Sequence, residues 1–253
     1  MLTKTEGIVL KSQKYGEADL IVTYLTADKG IIKAFAKSPR KTKSRFGSSL
    51  EPLTHSQISL WGKEQSAISK ITQADIINSF HQIRENYQNF VNVSKLIEII
   101  ISLTPATIPN KRLFSFFLNT LDLIRSSDQE AAGSLHIITQ IRLLAMIGYA
   151  PKLNNCGRCG SDSLDFYPDS GTTLCKKCAI SPSGAGKPFI RINNRVIHFY
   201  SHTIKWPINI SNRLKPDNET ISELSTVIDR HLTYLLSRKL VSSKFPVGAS
   251  SHL

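Results

Sequence analysis

The chain has 253 residues, 41% hydrophobic and only 20% charged, and carries a formal net charge of +13. That length suits a sizeable core divided among two or three subdomains. No apolar run approaches the ~20 residues a helical membrane span needs.

The positive balance comes from scarce acids, and they are unevenly placed. No Asp or Glu lies between Asp28 and Glu51, and only Asp217 lies between Asp169 and Glu219. The first window holds Lys29, Lys33, Lys37, Arg40, Lys41, Lys43 and Arg45. The second holds Lys176, Lys177, Lys187, Arg191, Arg195, Lys205, Arg213 and Lys215. Cations gathered in patches favour polyanions, through phosphate neutralisation and counterion release, over a role in solubility alone.

The opening MLTKTEGIVL lacks the basic, apolar and cleavage regions of a signal peptide and reads as a strand. Residues 3–72 then read as a small all-β module. Thr5 to Lys14 alternates around Ile8 and Leu10, and Leu20 to Thr26 is rich in strand formers. Ala27-Asp28-Lys29-Gly30 turns into Ile31 to Lys37, Leu53 to Trp61 alternates, Gly62-Lys63-Glu64 turns, and Ser66 to Thr72 returns. Five short strands suit a small closed barrel of the OB type, and an SH3-like barrel fits the count nearly as well. The loop Ser38 to Gly47 is the most basic segment. With Lys14, Lys33 and Lys37, its Arg40, Lys41, Lys43 and Arg45 are candidate backbone contacts, and Phe46 is a candidate stacking face for a base. Tyr15 and Tyr24 could add further stacking faces, whereas Phe35 and Trp61 sit in strands and read as core.

From Ile76 the period becomes helical. Tyr87, Phe90, Val91, Ser94, Ile97 and Ile101 mark one helix, which Thr104-Pro105 ends. Leu113, Phe114, Phe117, Leu118, Leu121 and Ile124 mark a second. A third, with Asp128 as its candidate N-cap, runs through Ile137, Ile138, Ile141, Leu144 and Ile147 to Gly148, which suits a C′ position. Pro151 prevents continuation.

All four cysteines follow at once. Cys156, Cys159, Cys175 and Cys178 form C-x2-C-x15-C-x2-C, a strong pattern for a closed tetrathiolate zinc (Zn2+) site of structural kind, against two disulfides or four idle thiols. Gly157 and Gly160 ease the turns. Paired thiols without an export signal point to a reducing cytoplasm. Ser181 to Gly186 reads as a connector, residues 192–204 as a short helix, and Thr220-x-x-Glu223 as a capping box opening a last helix with Ile221, Leu224, Ile228, Leu232, Leu235 and Leu236 on its apolar face. No G-x-S-x-G, H-E-x-x-H or Walker pattern occurs, so no catalytic constellation is found and the chain does not read as an enzyme.

The entry I-G-Y-A-P-K-L-N-N-C-G-R-C-G, the closing L-T-Y-L-L-S-R-K-L-V-S-S-K-F, and the opening pattern at Glu17, Asp19, Val22, Leu25, Thr26 and Gly30 together resemble the bacterial RecO family of recombination mediators over essentially the whole chain. Departures are Thr139-Gln140, where an aromatic–Glu pair is common, and Ser243, where a basic residue is frequent. The resemblance implies an α+β protein: an N-terminal OB-fold β-barrel (1–78), a mainly α-helical domain (79–150 and 183–253) and an inserted zinc-ribbon module (151–182). It implies binding of single- and double-stranded DNA, strand annealing, and, with RecR, loading of RecA on SSB-coated DNA in the bacterial cytoplasm, at the nucleoid. The SSB C-terminal tail, acidic with an apolar end, would need cations beside a greasy pocket. Arg112 and Arg142, near Phe114, Phe117 and Leu143, with Arg238 and Lys239 on the final helix, are the candidates. The other classes to weigh are a nucleic-acid-modifying enzyme with a zinc-ribbon accessory and a zinc-ribbon factor acting on RNA or in transcription.

Overall fold

The computed structural model describes residues 1–40, 44–62, 68–127, 129–180, 187–211 and 214–244 of a mixed α+β chain. The five expected strands are β1 (Leu2–Tyr15), β2 (Asp19–Thr26), β3 (Gly30–Ala36), β4 (His55–Trp61) and β5 (Ser69–Asn78). They join in the order β1-β2-β3-β5-β4, and β1 pairs with β4 to close the sheet. All pairings are antiparallel except β3 with β5, which meet in parallel at Ala34–Ser69 and Phe35–Lys70. Side chains of period two explain the interior: Val9, Val22, Tyr24, Ala34, Ala36, Ile58, Leu60 and Ile71 all point inward and are buried. A register shift between Val9 and Lys11 bends the 14-residue β1, so its first half serves β4 and its second half β2.

Gly30, which ends the β2–β3 turn, has φ +67, and a Cβ there would lie 2.3 Å from the Ile108 carbonyl oxygen. Only glycine allows that approach, which lets Ala106 and Thr107 bond alongside Ile31. The sequence expectation errs on β5. That strand starts at Ser69 and continues to Asn78, past Ile76, where a helical period was expected.

Helices follow: α1 (His81–Glu85), α2 (Tyr87–Leu103), α3 (Lys111–Ser126) and α4 (Gln129–Met146). Asn86 caps α2 by accepting from Asn89 N at 3.0 Å, and the α3 stripe is buried at Leu113, Phe114, Phe117, Leu121 and Ile124. Asp128, expected to cap α4, lies outside the described residues. Gly148, at φ +83, closes α4 as expected: Tyr149 N donates to Leu144 O at 2.8 Å and Gly148 N to Ala145 O at 3.3 Å.

Two compact units result, Met1–Val93 with Ile99–Ser126, and Ser94–Glu98 with Ser127–Leu253. The helical stretch is thus shared between them. In the second unit, α4 leads to β6 (Asp165–Tyr167), β7 (Thr172–Thr173), α5 (Lys176–Ala179) and β8 (Ile190–Arg191), then α6 (Asn194–Lys205), α7 (Ile208–Ser211) and α8 (Asn218–Leu236). The strands form a small sheet in the order β7-β6-β8, while α4, α6 and α8 pack together. The expected capping box of α8 is corrected. Asp217 is the N-cap and accepts from Thr220 N at 2.7 Å, so the helix begins three residues earlier than a cap at Thr220 would allow. Glu223 instead accepts from Asn193 N at 2.8 Å and Asn193 Nδ2 at 2.6 Å, tying α8 to the start of α6. Among the described residues, no helix is long and apolar enough to cross a membrane.

Candidate nucleic-acid face and cysteine cluster

The outer face of the closed sheet follows from the same alternation that fills its interior. With Ile58 and Leu60 inward, Trp61 must point outward, and it is 60% exposed. With Ala34 and Ala36 inward, Lys33 and Phe35 point outward. Register then carries one outer row across the strands. Ile21 lies beside Phe35, Phe35 beside Lys70, and Lys70 beside Trp61. Tyr15, 56% exposed at the end of β1, meets Phe35 edge-on with ring centroids 6.0 Å apart. Lys33 is exposed one inter-strand row along, opposite Thr23 and Lys11. An outer face with three aromatic rings and Lys11, Lys33 and Lys70 can stack bases and meet phosphates.

The sequence candidates fare differently. Lys33 and Lys37 are exposed, and neither has an ion-pair partner among the described residues. Lys14 is exposed too, but its register partner is Leu20, so it lies on the opposite face from Tyr15. Lys41 and Lys43 lie outside the described residues. Arg40 is exposed, yet its Nη1 donates to Glu17 O at 2.8 Å and its backbone N to Ala18 O at 3.3 Å. Phe46 is a correction. It is 4% exposed, lies in the core cluster of the closed sheet with Val9, Tyr24 and Leu50, and offers no face to a base. Exposed Arg45 covers its ring at 4.9 Å. Tyr24 is likewise fully buried, and burial pushes its hydroxyl pKa above the ordinary value. Trp61 is the converse correction, a surface ring where a core residue was expected. The strand alternation could have revealed it, because Ile58 and Leu60 already claim the interior.

The partner residues are corrected in part. Arg112 is exposed in the first unit, while Arg142, Arg238 and Lys239 belong to the second. Phe114, Phe117 and Leu143, proposed as pocket walls, are buried core residues. Arg142 donates its Nη2 to Trp206 O, and burial lowers its pKa. Arg238 is bound to Glu98 at 2.6 Å. Lys239 is exposed.

The four cysteines do converge. All four sulfurs lie within 4.8 Å of one another, with Cys159 and Cys175 at 3.6 Å, and none is in a disulfide. A tetrahedral shell with metal–sulfur bonds of about 2.3 Å places its sulfurs about 3.8 Å apart, so the donor set fits a metal ion. Local backbone makes this possible. A Cβ on Gly157 would lie 2.4 Å from Thr172 Oγ1, so glycine lets the first knuckle seat against β7, and Gly160 turns it at φ +77. The second knuckle is the short α5, whose Cys178 carbonyl accepts from Arg158 Nη1 at 3.0 Å. Burial raises the Cys156 thiol pKa, but backbone N–H groups of Cys175, Cys159 and Arg158 outweigh it and bring the value to about 6. At Cys178 the neighbouring Cys159 and Cys175 sulfurs push the pKa up to about 12. Backbone dipoles favour thiolate, while sulfur crowding holds the last proton. A bound cation would relieve that conflict.

Two family models divide the chain between them: Recombination protein O N terminal over residues 1–80, and Recombination protein O C terminal over residues 84–244. A DNA repair protein RecO from Thermodesulfovibrio yellowstonii is 42% identical over 235 residues, covering 92% of each chain. One from Dehalococcoides mccartyi is 31% identical over 240 residues, covering 93% of this chain and 91% of the relative. A third, from Rubrobacter xylanophilus, is 33% identical over 181 residues, covering 70% and 71%.

Proposed function

The chain belongs to the RecO family of DNA repair and recombination proteins, and we propose that it is a non-enzymatic mediator that binds single- and double-stranded DNA and anneals complementary strands. With RecR it would help load RecA on DNA coated by SSB. The observation carrying this reading is the outer row of Phe35, Lys70 and Trp61, flanked by Tyr15 and Lys33. Closure in the order β1-β2-β3-β5-β4 with parallel β3 and β5 supports an OB fold, whose β2–β3 face and β1–β2 and β4–β5 loops bind oligonucleotides. Tyr15 borders the first of those loops and Trp61 the second.

Each part of this surface has a distinct task. Exposed Tyr15 and Trp61 supply faces on which bases stack whatever their sequence, at ~1–3 kcal/mol per stacked base. Lys33, Lys37 and Lys70 neutralise phosphates and release counterions. Sequence-independent holding of this kind leaves Watson–Crick edges free, which annealing requires. Zinc is the proposed ion for the cysteine cluster, held by Cys156, Cys159, Cys175 and Cys178. When bound it would cross-link the two knuckles and neutralise their thiolates, with no coordination position left for a substrate. The module 151–182 is accordingly read as a structural zinc ribbon inserted between the helical parts 79–150 and 183–253, after the domain 1–78. The SSB tail, an acidic peptide with an apolar end, is the proposed protein partner alongside RecR, with exposed Arg112 in the first unit and exposed Lys239 in the second as separate candidate cations for it.

An annealing assay on SSB-coated complementary DNA strands tests the whole reading, with naked DNA and RNA strands as comparisons. Faster annealing of both DNA substrates without nucleotide hydrolysis is expected. A preference for RNA, or chemical change in the strands, would refute it.

A further inference from the structure

We propose that Asp19, an acid among the first unit's cations, is a positioning residue for nucleic-acid binding. Its carboxylate holds Ser38 in a left-handed turn that braces the β3–β4 loop against the β1–β2 turn. The inference rests on the reading of the outer sheet face as the nucleic-acid surface. Asp19 opens β2 directly opposite Tyr15 in register, and its Oδ1 accepts from Ser38 N at 2.6 Å. Ser38 has φ +55, a conformation that residues with a Cβ rarely adopt without local support.

The bonded pair does not stand alone. Two residues on, Arg40 N donates to Ala18 O at 3.3 Å, and Arg40 Nη1 reaches Glu17 O at 2.8 Å. Three hydrogen bonds therefore clamp the start of the basic loop to the turn that follows Tyr15. Phe35, which Tyr15 meets edge-on, lies three residues before Ser38, with exposed Lys37 between them. The brace thus sets how the Tyr15–Phe35 ring pair is presented at the end of the outer row. Arg40 takes part in it as a structural donor.

Electrostatics alone gives the opposite expectation. Removing an acid from a cationic surface should tighten its grip on a polyanion. If the brace matters, removing Asp19 should loosen that grip although net charge rises. It should also leave the salt dependence unchanged, because no phosphate contact is lost.

The test titrates the full-length chain against a fluorescein-labelled oligothymidylate by anisotropy, at several salt concentrations. Asp19→Ala and Asp19→Asn delete the same charge, but asparagine keeps an Oδ1 acceptor for the Ser38 N–H. Asp19→Ala should weaken binding about tenfold, as loss of a charge-assisted hydrogen bond does, at the parental log–log salt slope. Asp19→Asn should stay within about threefold of the parent. Adding Ser38→Gly to Asp19→Ala should restore most of the affinity, because glycine takes the left-handed turn unaided. Thermal melting checks that each variant folds, and Asp19→Ser replaces Asp19→Ala under the same criteria if the alanine variant does not. Unchanged or tighter binding by Asp19→Ala overturns the proposal, as does equal weakening by Ala and Asn. A Lys33→Ala/Lys37→Ala variant separates the two levels. If it keeps parental affinity and slope, the face itself is misassigned. If it weakens with a shallower slope while Asp19→Ala does not weaken, only the brace falls.

Discussion

At the scale of single residues, Phe46 and Trp61 exchange the roles that their local sequence suggests. Phe46 stands amid cations in a loop, yet its ring joins the interior cluster of the closed sheet with Leu50, at 4% exposure each. Nothing local marks a loop aromatic as a core residue, because its partners Val9 and Tyr24 are distant in sequence. Trp61 was legible in principle, since its place after Ile58 and Leu60 fixes its side of the strand. The cysteines were legible in full because ligand spacing within a knuckle is local, and their sulfurs converge as the pattern requires. Paired variants separate the two rings. Phe46→Ala should cost about 3–5 kcal/mol of stability in urea titrations, the range for emptying a buried aromatic site. Trp61→Ala should change stability by only about 0.5 kcal/mol and weaken single-stranded DNA binding by ~1–3 kcal/mol. Loss of stability without loss of affinity in Trp61→Ala would remove that ring from the proposed face.

At the scale of elements, ends defined by backbone conformation were easier to read than ends defined by competing side chains. Gly148 could serve in few other ways than as the left-handed close of α4. Before α8, the sequence pattern puts the cap at Thr220, and Asp217 holds it instead. Glu223, which should complete that box, is instead drawn to Asn193 thirty residues upstream. A similar long-range bond fixes the end of the described chain. Glu98 accepts from Arg238 Nη1 at 2.6 Å, Val241 N at 2.9 Å, Ser242 N at 3.1 Å and Ser242 Oγ at 2.9 Å. Burial raises the Glu98 pKa, but these donors outweigh it, and the folded value falls below the ordinary one. A depressed carboxylate pKa stabilises the fold above its unfolded value, near ~4.3, and that contribution disappears as pH falls through the folded value. Glu98→Gln should therefore cost about 1 kcal/mol at neutral pH, after allowance for the partial exposure of its Arg238 pair. The difference from the parent should close as denaturation is measured at progressively lower pH below ~4. A gap that persisted at the acid end would mean that Glu98 acts through packing.

At the scale of the whole molecule, net charge suggests a polyanionic partner without locating a surface for it. The second acid-poor window holds cations that nearby acids neutralise: Lys187 pairs with Asp169, Arg191 with Asp165 at 3.4 Å, and Arg195 with Asp217, the window's own acid, at 3.2 Å. Such pairings join residues that only the fold brings together. The same long-range bonding makes the cysteine module an integral part of the second unit. Ile192 N donates to Leu164 O at 2.8 Å, Ser201 Oγ to Asn154 Oδ1 at 2.7 Å, and His231 Nε2–H to Tyr149 O at 2.8 Å. A metal holding the knuckles would consequently hold the places where α6 and α8 dock on the module. Structural tetrathiolate sites contribute their binding free energy to folding, so its loss should propagate through this unit. Cys156→Ser, or chelation under reducing conditions, should abolish the expected one zinc per chain by elemental analysis. It should also strip amide-exchange protection from residues 150–180 and 187–200 and from the facing turns of α8. The first unit has its own core in the closed sheet, so protection in β1 to β3 should persist. Oligothymidylate affinity should stay within about threefold of the parent, because the proposed stacking rings lie in that unit. Protection lost equally in both units would show that the metal governs one cooperative fold. Loss of DNA binding with β1 to β3 still protected would place essential contacts in the second unit instead.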